Sequence, residues 1–539
     1  MGLDILIRNG KIVDGTGNPW FRGDVAVEHG VIVEVSHFPQ ASAALVIDAS
    51  GKVVCPGFID MHTHSDLVLL AHPLNQAKLA QGVVTDVIGQ DGLSYAPTTD
   101  RALKTLRELT RALNGDFDLD YSWRSVDEYL DRFDRKVSGN VAYLVPHAAV
   151  RTAVMGMERR AATPAEMAQM KRLVAEAMEQ GCVGFSTGLS YPPCAYADTA
   201  ELTELCKPAA AYGGYFAPHL RNYGTALAES FEEALTVARG AGIPLHFTHL
   251  QVNFQPNRGK AGKYLSLIDQ QRAAGLEITM DCYPYVAGST YLAGLLPSWL
   301  QEGGRDMALD RLADPATREQ LRREMEAGCD GMHGVPMNWS EVILSGVADA
   351  EHERYVGYSI DDASRMGGKD PYAFVFDLLL DEQLAVTCLV VNGDEENVMQ
   401  VARHPAAMAG SDGIFVGTRP HPRAYGSHAR WLAEYVGNRR LFGLEECVRK
   451  MTSLPASRLG LLDRGLLRKG MAADIVVLDP GRVRDTATYE SPRRLAEGVE
   501  WVLVNGVVTW QQGHHTGATA GRALKPARPG ISAFAAPLR

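Results

Sequence analysis

The segment FIDMHTHSDL, residues 58–67, places His62 and His64 at the end of a short apolar run. Side chains two positions apart on a strand point to the same side, so both imidazoles can reach one cation. Imidazole nitrogen is a preferred ligand of zinc and of other divalent transition metals. A short HxH pair is equally compatible with two polar loop residues. The segment therefore raises a metal-binding hypothesis that other residues must support.

Further polar residues close later apolar runs. His219 ends GGYFAPHL, His249 ends IPLHFTHL, and Asp412 lies in AAMAGSDG. A lone histidine is more often a hydrogen-bonded core residue, and Asp412 alone could cap a turn. Beside a metal, however, an ionised aspartate can take a proton from a water molecule that attacks a carbonyl group. The whole set predicts metal-assisted hydrolysis, with His147 in LVPHAAVR as either a supporting or a core residue.

The elements that would position these residues alternate between strand and helix from residue 56 to 464. Helical segments such as PAEMAQMKRLVAEAMEQG separate short apolar runs. The runs after the HxH segment are GVVTDVIG, GNVAYLVPH, CVGFSTG, GYFAPHL, IPLHFTHL, EITMDCYP, AVTCLVVN and AAMAGSDG. About eight strand–helix units predict an α/β fold, a (β/α)8 TIM-like barrel, whose C-terminal strand ends meet the substrate.

The two ends of the chain have a different sequence pattern. Residues 1–55 and 465–512 contain short β-branched runs broken by tight turns, among them Asn505-Gly506. Isolated hairpins are only marginally stable, so we expect both ends to form one small composite β-sandwich domain. Charged helical sequence marks an insertion at about 297–345, predicted to lie over the barrel mouth as a lid. The tail, 513–539, is expected to follow the surface or to be loosely ordered.

Composition narrows the class of protein. The chain has 539 residues, 46% of them hydrophobic and 22% charged, which suits a large globular core and more than one domain. A net charge of -11 and a pI near 5.8 argue against nucleic acid as a partner. The opening MGLDILIRNGKIVDG lacks the pattern of a signal peptide and no apolar run reaches about 18 residues, so we expect no membrane partner and a cytoplasmic location, with a homo-oligomer left open. Eight cysteines without a CxxC pair predict reduced thiols.

Several longer motifs carry a family resemblance. PGFIDMHTHSD is similar to the opening signature of the amidohydrolase superfamily. GFSTGLSYPP, PHLRNYG, DCYPYVAGST and GSDGIFVGTRPHPRAYG resemble the N-acyl-D-amino-acid deacylase (D-aminoacylase) family over nearly the whole chain. The resemblance implies a zinc-dependent hydrolase with one or two ions. Such an enzyme cleaves a small-molecule substrate, a linear N-acyl D-amino acid, into a carboxylate and an amine.

The resemblance also implies metal ligands. His62 and His64 resemble the ligands of a weakly held metal, which Asp412 also touches as the general base, and His219 and His249 resemble ligands of a tight site. Where the family has a cysteine in GNCG, this chain has GQDG, with Asp91 at that position. A carboxylate is a harder ligand than a thiolate, which leaves metal preference open, and Asp91 could instead be a turn residue. Many amidohydrolases use a carboxylated lysine on a middle barrel strand as the anionic ligand. The matching strand here, CVGFSTG, has no lysine, which favours Asp91 in that role.

The resemblance also implies contacts to the substrate. Arg423 resembles an arginine that binds the substrate α-carboxylate, the alternative being a surface salt bridge. Tyr191 resembles a tyrosine that assists this contact or polarises the amide, and Ser289 either contacts substrate or caps a turn. Gln251 stands where the family has a lysine, which leaves open weaker binding or a less charged substrate. Arg221 either compensates for that lysine or is structural.

Two other functions remain open from the sequence. A cyclic amide hydrolase of the hydantoinase or dihydroorotase kind would share the fold. The absence of a lysine from CVGFSTG counts against this alternative. A catalytically inactive barrel that serves in binding or assembly is the second alternative. The intact histidine set counts against such a scaffold.

Overall fold

The computed structural model describes residues 2–38 and 42–527. The chain begins with five strands at one end of the molecule. They are β1 (Leu3–Ile12), β2 (Phe21–Glu28), β3 (Val31–Ser36), β4 (Ala43–Asp48) and β5 (Val53–Pro56). β1 pairs antiparallel with β2, and β2 with β3, while β4 and β5 run parallel to β1.

A parallel barrel follows. Its first seven strands are β6 (Phe58–Asp60), β7 (Val83–Ile88), β8 (Asn140–Pro146), β9 (Gly184–Gly188), β10 (Tyr215–His219), β11 (Leu245–Phe247) and β12 (Ile278–Cys282). The chain then leaves the barrel for a small antiparallel sheet of β13 (Ala287–Tyr291), β14 (Val342–Gly346) and β15 (Thr387–Val391), and returns for the eighth barrel strand, β16 (Ala407–Ala409). Thr63 forms a parallel bridge to Gly413, which closes the circle. The predicted (β/α)8 barrel is confirmed.

One predicted barrel strand is wrong. AVTCLVVN forms β15, which pairs antiparallel with β13 and β14 outside the barrel. A buried run of about five apolar residues suits a parallel barrel strand or a small covered sheet equally well, so periodicity could not separate the two. The departure from the barrel between β12 and β16 is therefore longer than the charged segment suggested.

Helices follow most barrel strands and cover the outside of the barrel. They are α1 (Asp66–Ala71), α2 (Gln76–Leu79), α3 (Asp100–Asn114), α4 (Val126–Leu130), α5 (His147–Met155), α6 (Pro164–Glu179), α7 (Thr199–Ala211), α8 (Leu227–Ala241), α9 (Ala261–Ala273), α10 (Arg305–Ala313), α11 (Pro315–Ala327), α12 (Ile360–Met366), α13 (Pro371–Asp381), α14 (Glu395–Arg403), α15 (Arg423–Arg430), α16 (Leu444–Met451) and α17 (Ser453–Arg458), with a π-helical stretch at Trp431–Asn438. None of the helices in the described part of the chain is long and apolar enough to cross a bilayer.

Local sequence explains these helices, as α6 illustrates. Thr163 and Glu166 form a capping box at its start, and Pro164 occupies the first turn, where its missing N–H costs nothing. Met170, Val174 and Met178 recur at helical spacing and are buried. The helix therefore begins where its backbone donors are satisfied and packs its apolar face against the barrel.

The last strands return to the first sheet. They are β17 (Ile475–Leu478), β18 (Val499–Val504), β19 (Val507–Gln511) and β20 (His514–His515). β17 pairs antiparallel with β5, which joins both ends of the chain into one nine-stranded sheet. Apolar side chains from both ends, such as Ile7, Val27, Ile475 and Leu503, share one core. The predicted composite domain at the termini is confirmed, whereas the predicted domain boundaries stay predictions.

The described part of the tail lies along the barrel. Gly521 N–H donates to the Val137 carbonyl and Leu524 N–H to the Val141 carbonyl, at 2.9 and 2.8 Å, and Leu524 is buried. Residues 528–539 of the predicted tail lie outside the described residues. All eight cysteines are buried, and none of them forms a disulfide bond in the described part of the chain, as expected for reduced thiols.

The hairpin at Asn505-Gly506 generates a stability prediction. Both residues have positive φ, 49° and 79°, as a two-residue primed turn requires. A Cβ on Gly506 would lie 2.4 Å from the Gly30 Cα, whereas one on Gly51, also at positive φ, meets nothing within 4 Å. We expect Gly51→Ala to cost about 1 kcal/mol and Gly506→Ala to cost clearly more. Urea unfolding midpoints measure both, and equal midpoints would contradict the close approach.

Candidate metal centre and substrate cavity

Six buried side chains meet at the C-terminal mouth of the barrel. They are His62, His64, Asp91, His219, His249 and Asp412. Their ligand atoms fall into two groups, each with all atoms within 4.8 Å of one another. The first group holds His62, His64, Asp91 and Asp412, and the second holds Asp91, His219 and His249. Asp91 belongs to both groups.

The Asp91 carboxylate lies at the centre of this cluster. Its Oδ1 is 3.6 Å from His62 Nε2 and 3.5 Å from His249 Nε2. Its Oδ2 is 3.5 Å from His64 Nε2 and 3.6 Å from His219 Nδ1. One carboxylate therefore faces a ring nitrogen of all four histidines. Burial by itself would raise the pKa of Asp91, but the imidazoles outweigh it and hold the pKa well below its usual value.

The backbone is strained where it presents these side chains. Asp91, His249 and Asp412 all have positive φ, at 54°, 30° and 49°. Residues other than glycine rarely adopt this conformation, and each instance costs of the order of 1–3 kcal/mol. Asp412 is held in place by its N–H, which donates to the His62 carbonyl at 2.7 Å. Such strain at three converging residues indicates a functional site rather than ordinary packing.

Polar groups lie beside the other ring nitrogens of three of the imidazoles. His219 Nε2 lies 2.7 Å from Ser190 Oγ, and His249 Nδ1 lies 3.3 Å from the Tyr223 hydroxyl. His62 Nδ1 faces Asp281 Oδ2 at 3.9 Å. In each case the remaining ring nitrogen points into the cluster, an arrangement that supports metal ligation.

The cluster also has the atoms that a metal would need. Within the described residues, His62 Nε2 and Asp91 Oδ1 are buried without a hydrogen-bond partner. Buried polar atoms are normally paired, so an orphaned donor–acceptor set of this kind fits a ligating role. Imidazole nitrogens and carboxylate oxygens suit zinc and neighbouring divalent transition metals. The residues present therefore fit one or two such ions.

Asp281 is a buried hub that the sequence reasoning missed. Its Oδ1 accepts the His249 N–H at 2.9 Å, and its Oδ2 lies 2.9 Å from His246 Nε2. Together with the contact to His62, it links strands that carry ligands on both sides of the cluster. Burial opposes ionisation, but His246 and His62 lower the pKa of Asp281 below its usual value. Its position in EITMDCYP, at the end of a predicted strand, was the available signal.

A second buried network supports the HxH segment. Lys78 pairs with Asp60, and its Nζ donates to Ser411 Oγ at 2.9 Å. Ser411 N–H donates to Asp60 Oδ1 at 2.8 Å, which ties the end of β16 to the end of β6. Asp66 accepts the Gly89 N–H at 3.2 Å, and burial raises the pKa of Asp66 to about 6. The two carboxylates that flank the HxH pair thus position backbone around it.

Asp412 forms an ion pair with Arg423, Oδ2 to Nη1, at 2.8 Å, while its Oδ1 lies 3.2 Å from His64 Nε2. Burial opposes ionisation of Asp412, yet the Arg423 guanidinium and His62 lower its pKa below the usual value. The same carboxylates act on His64. Burial would lower its pKa, but hydrogen bonding to Asp412 and Asp91 raises the pKa of His64 to about 10. A proton on His64 therefore competes with metal binding.

The structure brings most predicted substrate residues into one cavity over the cluster. Tyr191, Gln251, Ser289 and Arg423 all line it. Tyr191 OH lies 2.9 Å from Thr290 Oγ1, and burial raises the pKa of Tyr191 well above its usual value, so the hydroxyl keeps its proton. Arg423 Nη2 donates to the Ser289 carbonyl at 3.2 Å. The insertion also reaches the cavity, through Met332 and His333 among others.

Two predicted residues lie elsewhere. Arg221 is absent from the described cavity lining, because its guanidinium is paired with Glu233 at 2.8 Å and donates to the carbonyls of Ala195 and Ala197. The structure therefore does not place Arg221 as the compensating cation. His147 is buried behind the site, where its ring nitrogens meet Thr187 at 2.9 Å and Glu201 at 3.0 Å.

Several other residues that line the cavity were not predicted from the sequence. Tyr223, Asn253, Tyr283, His333 and Asn392 line the cavity without having been singled out. Tyr223 and Tyr283 lie inside the quoted motifs PHLRNYG and DCYPYVAGST, so a signal existed for them. Asn392 and His333 lie in the excursion between β12 and β16, and only the folded chain returns them to the barrel mouth.

Known proteins share this fold and part of this sequence. The amidohydrolase family model matches residues 45–510, and the chain belongs to this family. It is 35% identical over 523 residues to a D-aminoacylase from Alcaligenes xylosoxydans xylosoxydans, covering 97% of each chain. A solved D-aminoacylase with a binuclear metal centre matches with a TM-score of 0.81 and 33% identity, over 97% of this chain and 100% of that one.

A second solved structure carries a ligand. It is the N-acyl-D-glutamate deacylase from Bordetella bronchiseptica with zinc and a phosphonate mimic of the tetrahedral intermediate. It matches with a TM-score of 0.82 and 33% identity, over 97% of this chain and 100% of that one. The predicted resemblance to the D-aminoacylase branch is confirmed.

The hub at Asp281 leads to a prediction about metal affinity. Asp281→Asn keeps the size of the side chain but removes the charge that faces His62 and His246, so we expect zinc affinity to fall about 10- to 100-fold. Chelator competition followed by elemental analysis measures this. Asp269→Asn is the matched control, because Asp269 also pairs with a histidine, His404, at 3.0 Å but is largely exposed. Equal zinc affinity in both variants would contradict the role of Asp281.

Proposed function

We propose that this protein is a zinc-dependent hydrolase that cleaves the linear amide of an N-acyl D-amino acid into a carboxylate and a free amine. The observation that carries the proposal is the convergence of four imidazoles and two carboxylates, five of which line the floor of one cavity. The named relatives, which include a D-aminoacylase and an N-acyl-D-glutamate deacylase, support the linear amide as the substrate class.

In this proposal the cluster holds one or two ions. His62, His64 and Asp412 would hold one, His219 and His249 the other, and Asp91 would serve both. A bound zinc ion supplies a Lewis acid that polarises the amide carbonyl and makes a water molecule a better nucleophile. Manganese or cobalt would suit the same ligands, since the set contains carboxylate oxygen and no thiolate.

Asp412 is the proposed general base. Its lowered pKa keeps it ionised at neutral pH, and it lines the cavity beside the cluster. It would take a proton from the attacking water and deliver it to the leaving nitrogen, so that the amine departs neutral. The Arg423 ion pair at 2.8 Å fixes the orientation of Asp412 for both transfers.

Arg423 and its neighbours are the proposed substrate contacts. Arg423 would bind the α-carboxylate through its guanidinium, with Ser289 beside it. The Tyr191 hydroxyl, which stays protonated, would donate a hydrogen bond to the carbonyl oxygen or to the carboxylate. Gln251 would contact the part of the substrate that faces away from the cluster. A cytoplasmic location stays a prediction, consistent with eight buried cysteines that form no disulfide bond in the described part of the chain.

A substrate panel tests the proposal. We expect zinc-loaded protein to hydrolyse N-acetyl D-amino acids faster than their L enantiomers and faster than hydantoins. Release of free amine measures turnover. Turnover of hydantoins without turnover of linear amides would favour the cyclic amide hydrolase. A folded protein that takes up no zinc, manganese or cobalt and shows no activity would favour the inactive scaffold.

The general base has its own test. Asp412→Asn removes the proton acceptor, so we expect kcat to fall by at least about 100-fold while most of the zinc remains bound. Steady-state kinetics and elemental analysis on the same sample separate the two effects. Asp118→Asn, on the exposed surface, is the control and should match the wild type. A near-normal kcat in Asp412→Asn would remove Asp412 from the role of base.

A further inference from the structure

Three carboxamide side chains stand together on one wall of the substrate cavity. We call Gln251, Asn253 and Asn392 the carboxamide cluster, and all three line the cavity. Asn253 is buried, whereas the other two are partly exposed toward the open space. Their grouping is tertiary, because Gln251 and Asn253 follow barrel strand β11 and Asn392 follows β15 of the small sheet.

The small sheet connects the carboxamide cluster to the backbone that contacts Arg423. Asn392 comes directly after Val391, which pairs with Ala287 on β13. Ser289, two residues further along β13, has the carbonyl that accepts the Arg423 hydrogen bond. A substrate whose α-carboxylate meets Arg423 therefore has this wall within reach of its side chain.

The hydrogen bonds within the carboxamide cluster leave complementary groups unused. Asn253 Nδ2 donates to Gln251 Oε1 and, at 3.4 Å, to Asn392 Oδ1. Among the described residues, the side-chain N–H groups of Gln251 and Asn392 and the Oδ1 of Asn253 make no hydrogen bond. The carboxamide cluster thus keeps both donor and acceptor groups without a hydrogen-bond partner, a pattern that matches another carboxamide.

The charges that line the cavity also favour an uncharged substrate side chain. Among the cavity-lining residues that the structure describes, Arg423 is the only lysine or arginine. It is already paired with Asp412 at 2.8 Å, and Arg221 is directed away toward Glu233. A substrate with a second carboxylate would bury that charge beside neutral amides and near two aspartates, without a side-chain cation to balance it.

We propose that the carboxamide cluster is a subsite for an uncharged, hydrogen-bonding side chain, so that the enzyme selects N-acyl amino acids bearing a carboxamide over those bearing a carboxylate. The proposal rests on the proposed function and names its substrate class. The substrate carbonyl accepts from Gln251 or Asn392, and its NH2 group donates to Asn253 Oδ1. A carboxylate can only accept, so it leaves the Asn253 oxygen facing another oxygen.

An isosteric substrate pair tests the subsite. With zinc-loaded wild-type protein, we expect kcat/KM for N-acetyl-D-glutamine to exceed that for N-acetyl-D-glutamate by at least about tenfold. N-acetyl-D-methionine, which is similar in length but lacks the hydrogen-bonding groups, should also be poorer than the glutamine derivative. A glutamate derivative that equals or exceeds the glutamine derivative overturns the proposal, as does a preference for methionine.

A charge substitution tests the same subsite by gain of function. Gln251→Lys places a cation in the carboxamide cluster, so we expect the glutamine-to-glutamate ratio to fall by about tenfold or more. Gln320→Lys adds the same charge on the exposed face of α11 and should leave the ratio unchanged. A Gln251→Lys enzyme that is active and keeps the wild-type ratio counts against the subsite.

Failure of the proposed function can be told apart from failure of the subsite. If the wild type turns over no N-acyl amino acid, the proposed function fails, and the unreacted compounds can then be titrated into it by calorimetry. A dissociation constant at least about tenfold lower for the glutamine derivative supports the subsite. Equal affinities, tighter binding of the glutamate derivative, or no binding of either overturns it.

Discussion

The placement of one buried carboxylate, that of Asp91, against four imidazoles is the constraint on which the rest of the site depends. Each of its oxygens lies 3.5 to 3.6 Å from two ring nitrogens, so a single anion joins two groups of candidate ligands that come from five segments of the chain. Without that charge, the four histidines would lose the carboxylate that faces all of them, and Asp412 would remain beside His62 and His64. The carboxylate therefore organises both the electrostatics of the cluster and its fit to a metal.

The backbone conformations that present these side chains are locally unfavourable, and the rest of the barrel stabilises them. Asp91, His249 and Asp412 keep positive φ only because the surrounding backbone is fixed. The Lys78–Asp60 pair, bound through Ser411, fastens the first and last barrel strands where the HxH segment leaves β6. Asp281, on β12, likewise binds the backbone of His249, which follows β11. A closed parallel barrel suits this task, since its strand ends converge on one rim while the helices bury the rest of each strand.

The cavity above the cluster divides into two chemical regions. Its floor carries three of the candidate ligand histidines, two aspartates and Arg423, where charge is concentrated and paired. Its outer wall, built partly by the excursion between β12 and β16, is neutral and presents amides, aromatic rings and apolar groups such as Met332. In the proposed function the chemical step would take place at the floor, which the barrel fixes, and substrates would be discriminated at the wall, which the inserted segment shapes.

The sequence by itself determined the barrel, the pairing of the two ends, and the ligand residues His62, His64, Asp91, His219, His249 and Asp412 as candidates, because strand ends and long motifs are local patterns. It could not decide that AVTCLVVN lies outside the barrel, since an apolar pentapeptide suits either sheet. Nor could it show that Arg221 is held by Glu233, that Asp281 links three histidines, or that Asn392 returns to Gln251. Those facts depend on contacts between residues 12 to more than 100 positions apart, which only the folded chain brings together.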